Sequence, residues 1–266
     1  MKNNFWFEAI NISCFKNGFK VIKDLNLKLK NSENVMLIGP NGSGKSSLVN
    51  LINRNIYPVV EKQMVFKIFN KEDINLWELR KKISTVNNEI KERINPNLKT
   101  FDLIYSGLYG KYCFIKNKSE SDLLITVNLI NQMNLEHLSQ KCFSYLSDGE
   151  KQIALIARAL INNPKILILD EPSANLDYKS KFYLMDQINN LSKLNVKILC
   201  ITHDITTITK IYDRIIMLKN RRIIADGSQN EVINSENINR LYDIDIEVFK
   251  DKGQWNLYKK SNNYYK

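Results

Sequence analysis

Residues Gly39–Ser46 read GPNGSGKS, a pattern whose residue types and spacing suit the binding of phosphate. An apolar run, Val35–Ile38, precedes them and a helix-like stretch, Ser47–Ile52, follows, so the order is strand, loop and helix. Glycines let the backbone turn tightly, with N–H groups that point inward beside the positive end of the helix dipole. The sequence therefore predicts a nucleotide site formed by Gly39, Asn41, Gly42, Ser43, Gly44, Lys45, Ser46 and Ser47.

Two side chains of this loop have distinct chemistry. Lys45 is expected to reach the β- and γ-phosphates as a point charge, and the Ser46 hydroxyl is placed to hold Mg²⁺. The competing interpretation is a glycine-rich turn that matches by accident. At average residue usage such a match arises on the order of once per hundred chains or less.

A second motif follows the apolar run Ile166–Leu169, which places Asp170 and Glu171 at its carboxyl end. Ligands of open α/β sheets collect at that edge of the sheet. Asp170 is therefore expected to hold Mg²⁺, directly or through water. Glu171 is expected to orient and deprotonate the water that attacks the γ-phosphate. A carboxylate pair after a strand is by itself usually a solvated strand end, so this assignment depends on the phosphate loop.

Hydrophobic patterning predicts the elements that position these motifs. Besides the two apolar runs, period-two or β-rich segments predict strands at Phe5–Ile12, Asp24–Lys30, Gln63–Phe69 and Val196–Ile201. Apolar residues at helical spacing predict helices at Glu120–Met133, Glu150–Ile161 and Lys179–Leu194. The order of strand, helix and strand after residue 165 implies an α/β fold with a parallel sheet and right-handed crossovers.

Composition limits the class of protein. The 266 residues, 44% of them hydrophobic, are enough for one large core with or without a subdomain, which excludes a disordered chain. A net charge of +11 fits an anionic partner such as a nucleotide, nucleic acid or an acidic membrane face. Lysines are spread from Lys2 to Lys266, however, so a solvated lysine surface explains the charge equally well.

The cysteines and the longest apolar runs bear on location. The four cysteines share no C-x-x-C spacing, so we expect reduced core residues of a cytosolic protein. No stretch approaches the ~20 apolar residues that span a bilayer, and Glu8 and Asn11 interrupt the best candidate for a secretory signal. If this chain serves a membrane process, we expect another chain to cross the membrane.

Three further motifs lie in order along the chain. Leu146–Glu150 reads LSDGE, Ser173–Asp177 reads SANLD and Ile201–Asp204 reads ITHD. With the two motifs above, they resemble the signature, D-loop and switch histidine of the ATP-binding-cassette (ABC) ATPases, over most of residues 39–204. The resemblance implies an α/β P-loop fold with a mixed-sheet core, an antiparallel β subdomain and an inserted helical subdomain.

The implied domain division places the ABC ATPase domain at residues 1–230 and its helical insert at about 88–160. A C-terminal extension at 231–266 would follow it. Within the extension, Asn234–Tyr242 looks helical, and Ile244–Phe249 and Gln254–Tyr258 flank the hairpin turn Lys250–Gly253. This extension could be a regulatory or dimer-stabilising appendage, or a simple packing extension.

The resemblance also implies roles for individual residues. Ser147 and the N–H groups around Gly149 would bind the ATP whose phosphates Lys45 of another subunit holds. The chain would therefore form a head-to-tail dimer with itself or with a paralogous ATPase subunit. His203 would hydrogen-bond the γ-phosphate and hold Glu171 and the attacking water in place.

Other positions implied by the resemblance are less regular. Phe15 would stack on adenine, with Phe19 as the alternative, although both rings could be strand-edge core residues. Asn88 falls where the family has a lobe-linking glutamine, so we expect it to approach Mg²⁺ on a shorter stem. Asp148 replaces the first glycine of the usual signature and adds negative charge near a phosphate. Either ATP-driven closure would be weaker or the partner subunit would have to assist it.

The expected function follows from this resemblance. Asp73–Glu92, Ser106–Gly110 and the C-terminal tail resemble ATPase subunits of molybdate, iron or siderophore importers. The chain would therefore bind and hydrolyse ATP with Mg²⁺ and energise an importer of a metal, oxyanion or metal chelate. It would lie on the cytoplasmic face of the membrane, bound to a separate transmembrane permease subunit. Tyr105–Phe114 is the candidate docking surface, or else part of the helical core. The transported substance cannot be read from these motifs, because the membrane and capture subunits choose it.

The alternative function is a soluble ABC ATPase that acts on nucleic acid or a ribosomal complex. The positive charge favours it, but the sequence carries neither a second ATPase unit nor a long coiled coil. Nucleic acid is therefore not the expected partner. A scaffold that binds nucleotide without hydrolysing it is opposed by the presence of Lys45, Asp170, Glu171 and His203 together.

Overall fold

The computed structural model describes residues 4–259. They belong to two compact units, one formed by the chain up to residue 76 and from residue 198 onward, the other by residues 77–197. We call these the first and second units. Residues 260–266 of the predicted C-terminal extension lie outside the described residues. Within the described part of the chain, no helix has the length and apolar character needed for a membrane span.

The strands are β1 (Phe5–Lys16), β2 (Phe19–Lys30), β3 (Val35–Ile38), β4 (Val65–Ile68), β5 (Ile83–Val86), β6 (Ile166–Asp170), β7 (Lys197–Thr202), β8 (Arg214–Lys219), β9 (Arg222–Gly227), β10 (Ile246–Asp251) and β11 (Gln254–Lys259). The helices are α1 (Lys45–Ile52), α2 (Leu76–Lys82), α3 (Thr100–Ser106), α4 (Glu120–Gln132), α5 (Asp148–Leu160), α6 (Tyr178–Asn190), α7 (Gln229–Val232) and α8 (Ser235–Tyr242). Short 3-10 turns occur at Asn88–Arg93, Gly107–Tyr109, Glu136–Leu138, Phe143–Tyr145, Leu191–Lys193 and Ile205–Thr207.

Every predicted strand and helix is present, and the differences lie mainly at their ends. β1 and β2 are longer than predicted because Asn17 and Gly18, both at positive φ, close a tight hairpin between them. A similar tight turn at Asn220 and Arg221 joins β8 to β9, a hairpin that the sequence analysis missed. The four central residues of the missed strand β8 are nonetheless apolar and buried.

The first unit contains an antiparallel sheet in the order β2, β1, β4 and a group of parallel strands around β3. β3 pairs in parallel with β7 on one side and with β8 on the other, and β9 adds to β8 in antiparallel orientation. All four residues of β3 are buried, as expected for a strand flanked on both sides by parallel neighbours. The predicted mixed sheet is therefore confirmed.

The phosphate loop begins where β3 ends and lies directly against β8. A Cβ atom at Gly39 would be 2.2 Å from the Leu218 carbonyl oxygen and 2.7 Å from Ser43 Oγ. The Gly39 N–H donates to Thr202 O at 3.3 Å, and the Arg221 N–H donates to Ser43 O at 2.9 Å. Position 39 therefore has no room for a side chain, and neighbouring strands fix the start of the loop.

The second unit is built around α5, which packs against α3, α6 and β5. The apolar positions that predicted this helix are all buried or nearly so, namely Ile153, Ala154, Ile156, Ala157 and Leu160. β5 pairs in parallel with β6, whose first four residues are buried. The strand and the helix that carry the second set of motif residues therefore belong to one packed body.

The C-terminal part of the first unit has the predicted helix and hairpin. β10 and β11 pair in antiparallel register from Ile246 with Lys259 to Asp251 with Gln254. Lys252 and Gly253 form the turn, with φ of 45° and 84°. The predicted division of the chain into an ATPase domain and an extension remains a prediction.

The cysteines do not all lie in the core. Cys14 and Cys200 are buried and Cys142 is half-buried, but Cys113 is exposed. The prediction of a core position is therefore wrong for Cys113, which lies in the loop between the turn at Gly107–Tyr109 and α4. All four are free thiols.

Replacing Gly39 by alanine tests the contact between the phosphate loop and β8. Because the new Cβ would clash with a backbone carbonyl, we expect Gly39→Ala to lower the free energy of unfolding by about 3 kcal/mol or more. The measurement is urea unfolding followed by circular dichroism. Gly18→Ala is the control, because its Cβ would meet nothing within 4 Å and the change costs only the ~1–2 kcal/mol of left-handed backbone strain. Equal losses in the two variants would contradict the clash.

Candidate nucleotide-binding site

The phosphate loop has a backbone that requires glycine. Gly42 and Gly44 have φ of 78° and 107°, a region that other residues rarely occupy. The Ser43 N–H donates to Pro40 O at 3.2 Å, which closes the turn, and α1 begins at Lys45 with Gly44 as its N-cap. The first N–H groups of α1 therefore lie at the loop, where they and the helix dipole favour an anion.

Lys45 is buried with its ammonium group folded over its own loop. Its side chain Nζ donates to Gly39 O at 2.7 Å and to Pro40 O at 3.0 Å. Only 6% of the residue is exposed, an unusual state for lysine. The positive charge is therefore held within the loop, where it can stabilise phosphate oxygens.

His203 lies at the same edge of the sheet as the phosphate loop. It directly follows β7, whose last residue Thr202 pairs with Ile38 and accepts the N–H of Gly39. Its side chain is exposed. The structure thus brings together two motifs of the first unit that are far apart in sequence, as the parallel pairing of β3 and β7 requires.

Phe15 and Phe19 lie on either side of the turn between β1 and β2. They are 47% and 71% exposed, which excludes the alternative that either ring is a core residue. Lys20 Nζ lies 5.6 Å from the centre of the Phe15 ring, a cation–π arrangement. An exposed aromatic face suits stacking on a base, and the assignment of Phe15 to adenine remains a prediction.

The second unit contains the carboxylate motif and Asn88. Asp170 ends β6, and Glu171 follows it with φ of 51°, a left-handed conformation that costs roughly 1 kcal/mol for a residue with a side chain. Asn88 Nδ2 donates to the Glu171 carbonyl oxygen at 3.2 Å. The predicted lobe-linking position is therefore in direct contact with the backbone of the predicted base.

Oxygen donors in these motifs suit Mg²⁺. Asn88 Oδ1 is buried and has no hydrogen-bond partner among the described residues. Asn88 follows β5, and Asp170 is the last residue of β6, the strand that pairs with β5. Among residues 4–259, no group of three or more His, Cys, Asp or Glu could hold a metal ion. Mg²⁺ in nucleotide sites takes only one or two protein ligands and completes its shell with phosphates and water, so the donor set fits this ion.

The signature motif forms the N-terminus of α5. Ser147 is the N-cap: its Oγ accepts the Glu150 N–H at 3.2 Å, while Glu150 Oε2 accepts the Ser147 N–H at 2.7 Å. The Ser147 hydroxyl acts here as an acceptor, so its hydrogen can be donated to a phosphate oxygen. The capping and the phosphate role predicted for Ser147 are therefore compatible.

Gly149 and Asp148 occupy the first turn of α5. A Cβ on Gly149 would lie 3.0 Å from Ser180 Cβ, so this glycine allows α5 to pack closely on α6. The Asp148 carboxylate accepts from Lys151 Nζ at 3.2 Å. The extra negative charge in the signature therefore has a cation beside it, a pairing that the sequence analysis missed although the spacing of three residues signals it.

The comparisons with known proteins agree on one family. The sequence model of the family described as ABC transporter matches residues 22–174. An uncharacterized ABC transporter ATP-binding protein of Methanocaldococcus jannaschii is 35% identical over 88% of this chain and 80% of its own length. Another from Lactococcus lactis is 32% identical, over 90% and 93%.

Solved structures with a similar fold extend this result. One is an inward-facing conformation of a putative metal-chelate type ABC transporter, with TM-score 0.75, 21% identity and coverage of 96% of both chains. CbiO1 of Clostridium perfringens, part of the ABC transporter complex cbiONQ, gives TM-score 0.76 and 25% identity over 90% of this chain and 94% of its own. A dimeric bacterial ABC transporter cassette gives 0.66 and 28%, over 84% and 98%.

The capping box at Ser147 predicts a pH dependence of stability. Although partial burial opposes the change, hydrogen bonds from Ser147 and Lys141 lower the pKa of Glu150 below its ordinary value of 4.5. Because the folded-state pKa is depressed, the stabilisation is present at neutral pH and is lost as pH falls below 4.5 through the folded-state pKa.

We therefore expect Glu150→Gln to lower the free energy of unfolding at neutral pH and to match the wild type in acid. The measurement is urea unfolding of both proteins across this pH range. Glu136→Gln is the control, since Glu136 is exposed and lies in a 3-10 turn away from α5. A difference between wild type and Glu150→Gln that stays constant with pH would contradict the charge-dependent cap.

Proposed function

This chain belongs to the ABC transporter family as its ATP-binding and ATP-hydrolysing subunit, and we propose that it energises an importer of a metal, oxyanion or metal chelate. The importer type is supported by the likeness of Asp73–Glu92, Ser106–Gly110 and the C-terminal part to ATPase subunits of such importers. A fold shared with the putative metal-chelate type transporter over 96% of both chains agrees with it.

One observation carries the assignment of the site. The phosphate loop and His203 emerge from the adjacent parallel strands β3 and β7, with Lys45 already folded into the loop. The loop N–H groups and Lys45 would hold the β- and γ-phosphates, and His203 would contact the γ-phosphate. The exposed ring of Phe15 would hold the adenine.

The residues of the second unit would supply the hydrolysis step. When bound, Mg²⁺ would neutralise phosphate charge, with Ser46, Asp170 and Asn88 as the protein groups that hold it. Glu171 would accept a proton from the water that attacks the γ-phosphate. The hydrogen bond from Asn88 to the Glu171 carbonyl supports this role, because it restrains the backbone that carries the base.

Ser147 and Gly149 would act on the ATP of a second subunit. The capped N-terminus of α5 presents the Ser147 hydroxyl and a positive dipole end to an anion. The dimeric cassette among the similar structures supports a head-to-tail pair, formed by two copies or by this chain and a paralogous subunit. Lys151 would offset the charge of Asp148 and so moderate its effect on closure.

We also propose that the chain lies on the cytoplasmic face of the membrane and docks on a separate permease subunit. CbiO1 is part of a transporter complex, which supports such a partner. Within the predicted docking segment, Tyr105 is fully buried, while Tyr109 and Phe114 are 46% and 59% exposed. The docking role is therefore proposed for Tyr109 and Phe114, and Tyr105 belongs to the core.

Replacing Glu171 by glutamine tests the proposed mechanism. Glu171→Gln removes the proton acceptor, so we expect ATP hydrolysis to fall about 10²–10⁴-fold while ATP still binds. With ATP and Mg²⁺, light scattering should then detect a dimer, and without nucleotide a monomer. Glu136→Gln, the same change on an exposed turn, should hydrolyse ATP at the wild-type rate.

The possible results separate the two parts of this proposal. Wild-type turnover by Glu171→Gln would refute the base assignment. An inactive variant that binds ATP but stays monomeric would refute the head-to-tail dimer instead.

A further inference from the structure

The C-terminal end of helix α8 contacts His203, the histidine predicted as the switch. Tyr242, the final residue of α8, donates its hydroxyl hydrogen to the carbonyl oxygen of His203 at 2.5 Å. The two residues are 39 positions apart, so no local sequence pattern signals this contact. Tyr242 is half-buried.

The end of α8 is itself tied to the sheet that carries the phosphate loop. Lys219, the last residue of β8, donates to Arg240 O at 2.5 Å and to Asp243 Oδ1 at 2.6 Å. Asp243 ends the helix in a left-handed conformation, with φ of 55°. Because β8 pairs with β3, these bonds link the end of α8 to the strand that leads into the phosphate loop.

The hairpin of β10 and β11 is also hydrogen-bonded to α8. The Ile246 N–H donates to Asn239 Oδ1 at 2.8 Å, and the Val248 N–H donates to Ser235 Oγ at 2.9 Å. Both donors belong to β10 and both acceptors to α8. β10 is thus joined to α8 at the first residue of the helix, Ser235, and near its middle, at Asn239.

The hairpin also contacts the chain that follows His203. β11 packs against the turn Ile205–Thr207, and its buried Trp255 donates to Gln229 Oε1 at 3.4 Å. Gln229 Nε2 in turn donates to the carbonyl oxygens of Thr209 and Tyr212, at 2.8 Å each. The C-terminal segment therefore contacts the chain both at His203 and at the residues that follow it.

The turn that follows His203 also has hydrogen bonds of its own. Asp204 accepts the Thr206 N–H at 2.9 Å and the Thr206 hydroxyl at 2.7 Å, and its own N–H donates to Thr202 Oγ1 at 3.0 Å. The orientation of the His203 peptide is then set jointly by this turn and by the hydroxyl of Tyr242.

We propose that Tyr242 is a positioning residue that orients His203 toward the γ-phosphate, and that α8 and the hairpin hold Tyr242 in place for this purpose. This inference rests on the proposed role of His203. It assigns the C-terminal segment a part in the reaction rather than packing alone, because a displacement of the hairpin would be transmitted through one hydrogen bond to the histidine.

Histidine NMR tests the contact directly. The chain has two histidines, His137 and His203, so histidine-labelled full-length protein gives two imidazole signals that His137→Gln assigns. We expect Tyr242→Phe, which removes only the hydroxyl, to shift the His203 signal and leave that of His137 in place. Tyr258→Phe is the matched control, because Tyr258 is 60% exposed on β11 and should shift neither. An unchanged His203 signal in Tyr242→Phe would overturn the proposal.

Kinetics test the consequence. With ATP and Mg²⁺, we expect Tyr242→Phe to lower kcat about 3- to 10-fold, the rate equivalent of one hydrogen bond, with KM for ATP changed less than about twofold. Tyr258→Phe should retain wild-type kcat. A rise in KM at unchanged kcat would contradict positioning of the histidine.

His203→Ala separates this inference from the function on which it rests. If His203→Ala turns over ATP at the wild-type rate, the proposed role of His203 fails. If His203→Ala is inactive while Tyr242→Phe is wild type in kcat and in the His203 signal, only the role of Tyr242 fails.

Discussion

The contact between Gly39 and the backbone of β8 constrains the rest of the nucleotide site. A Cβ atom at Gly39 would lie 2.2 Å from the Leu218 carbonyl oxygen, so the start of the loop cannot accept a side chain. From that fixed start, Gly42 and Gly44 turn the chain into α1, and Lys45 folds back on the first two carbonyls of the loop. The arrangement of donors in the loop therefore depends on the pairing of the strands around it.

In the second unit, the signature motif also lies at the N-terminus of a helix. At the signature, the helix N-terminus is capped by the Ser147 side chain instead of a glycine turn. The neighbouring strand end contributes Asp170 and a strained Glu171, whose carbonyl is held by Asn88.

The sequence predicted much of this arrangement because its main features are local. Gly39–Ser46 and Leu146–Glu150 act through backbone turns and helix ends, and apolar periodicity located β3, β6 and α5. The dipeptide Asn17-Gly18 is typical of a hairpin turn, although the predicted strands ended short of it on both sides. The contact of Tyr242 with His203 and the burial of Tyr105 could not be predicted, because they depend on which distant elements pack together. The exposure of Cys113 is set in the same way by the course of a loop.

The central claim is that the phosphate loop and Lys45 bind the triphosphate of ATP. Calorimetry of ligand binding tests this claim most directly. ATP with Mg²⁺ and inorganic tripolyphosphate should both bind the wild-type chain. Lys45→Ala should weaken both about 10- to 100-fold, the value of a charge-assisted contact, whereas Lys252→Ala, at an exposed hairpin turn, should change neither. Unchanged affinity of Lys45→Ala for both ligands would contradict the account.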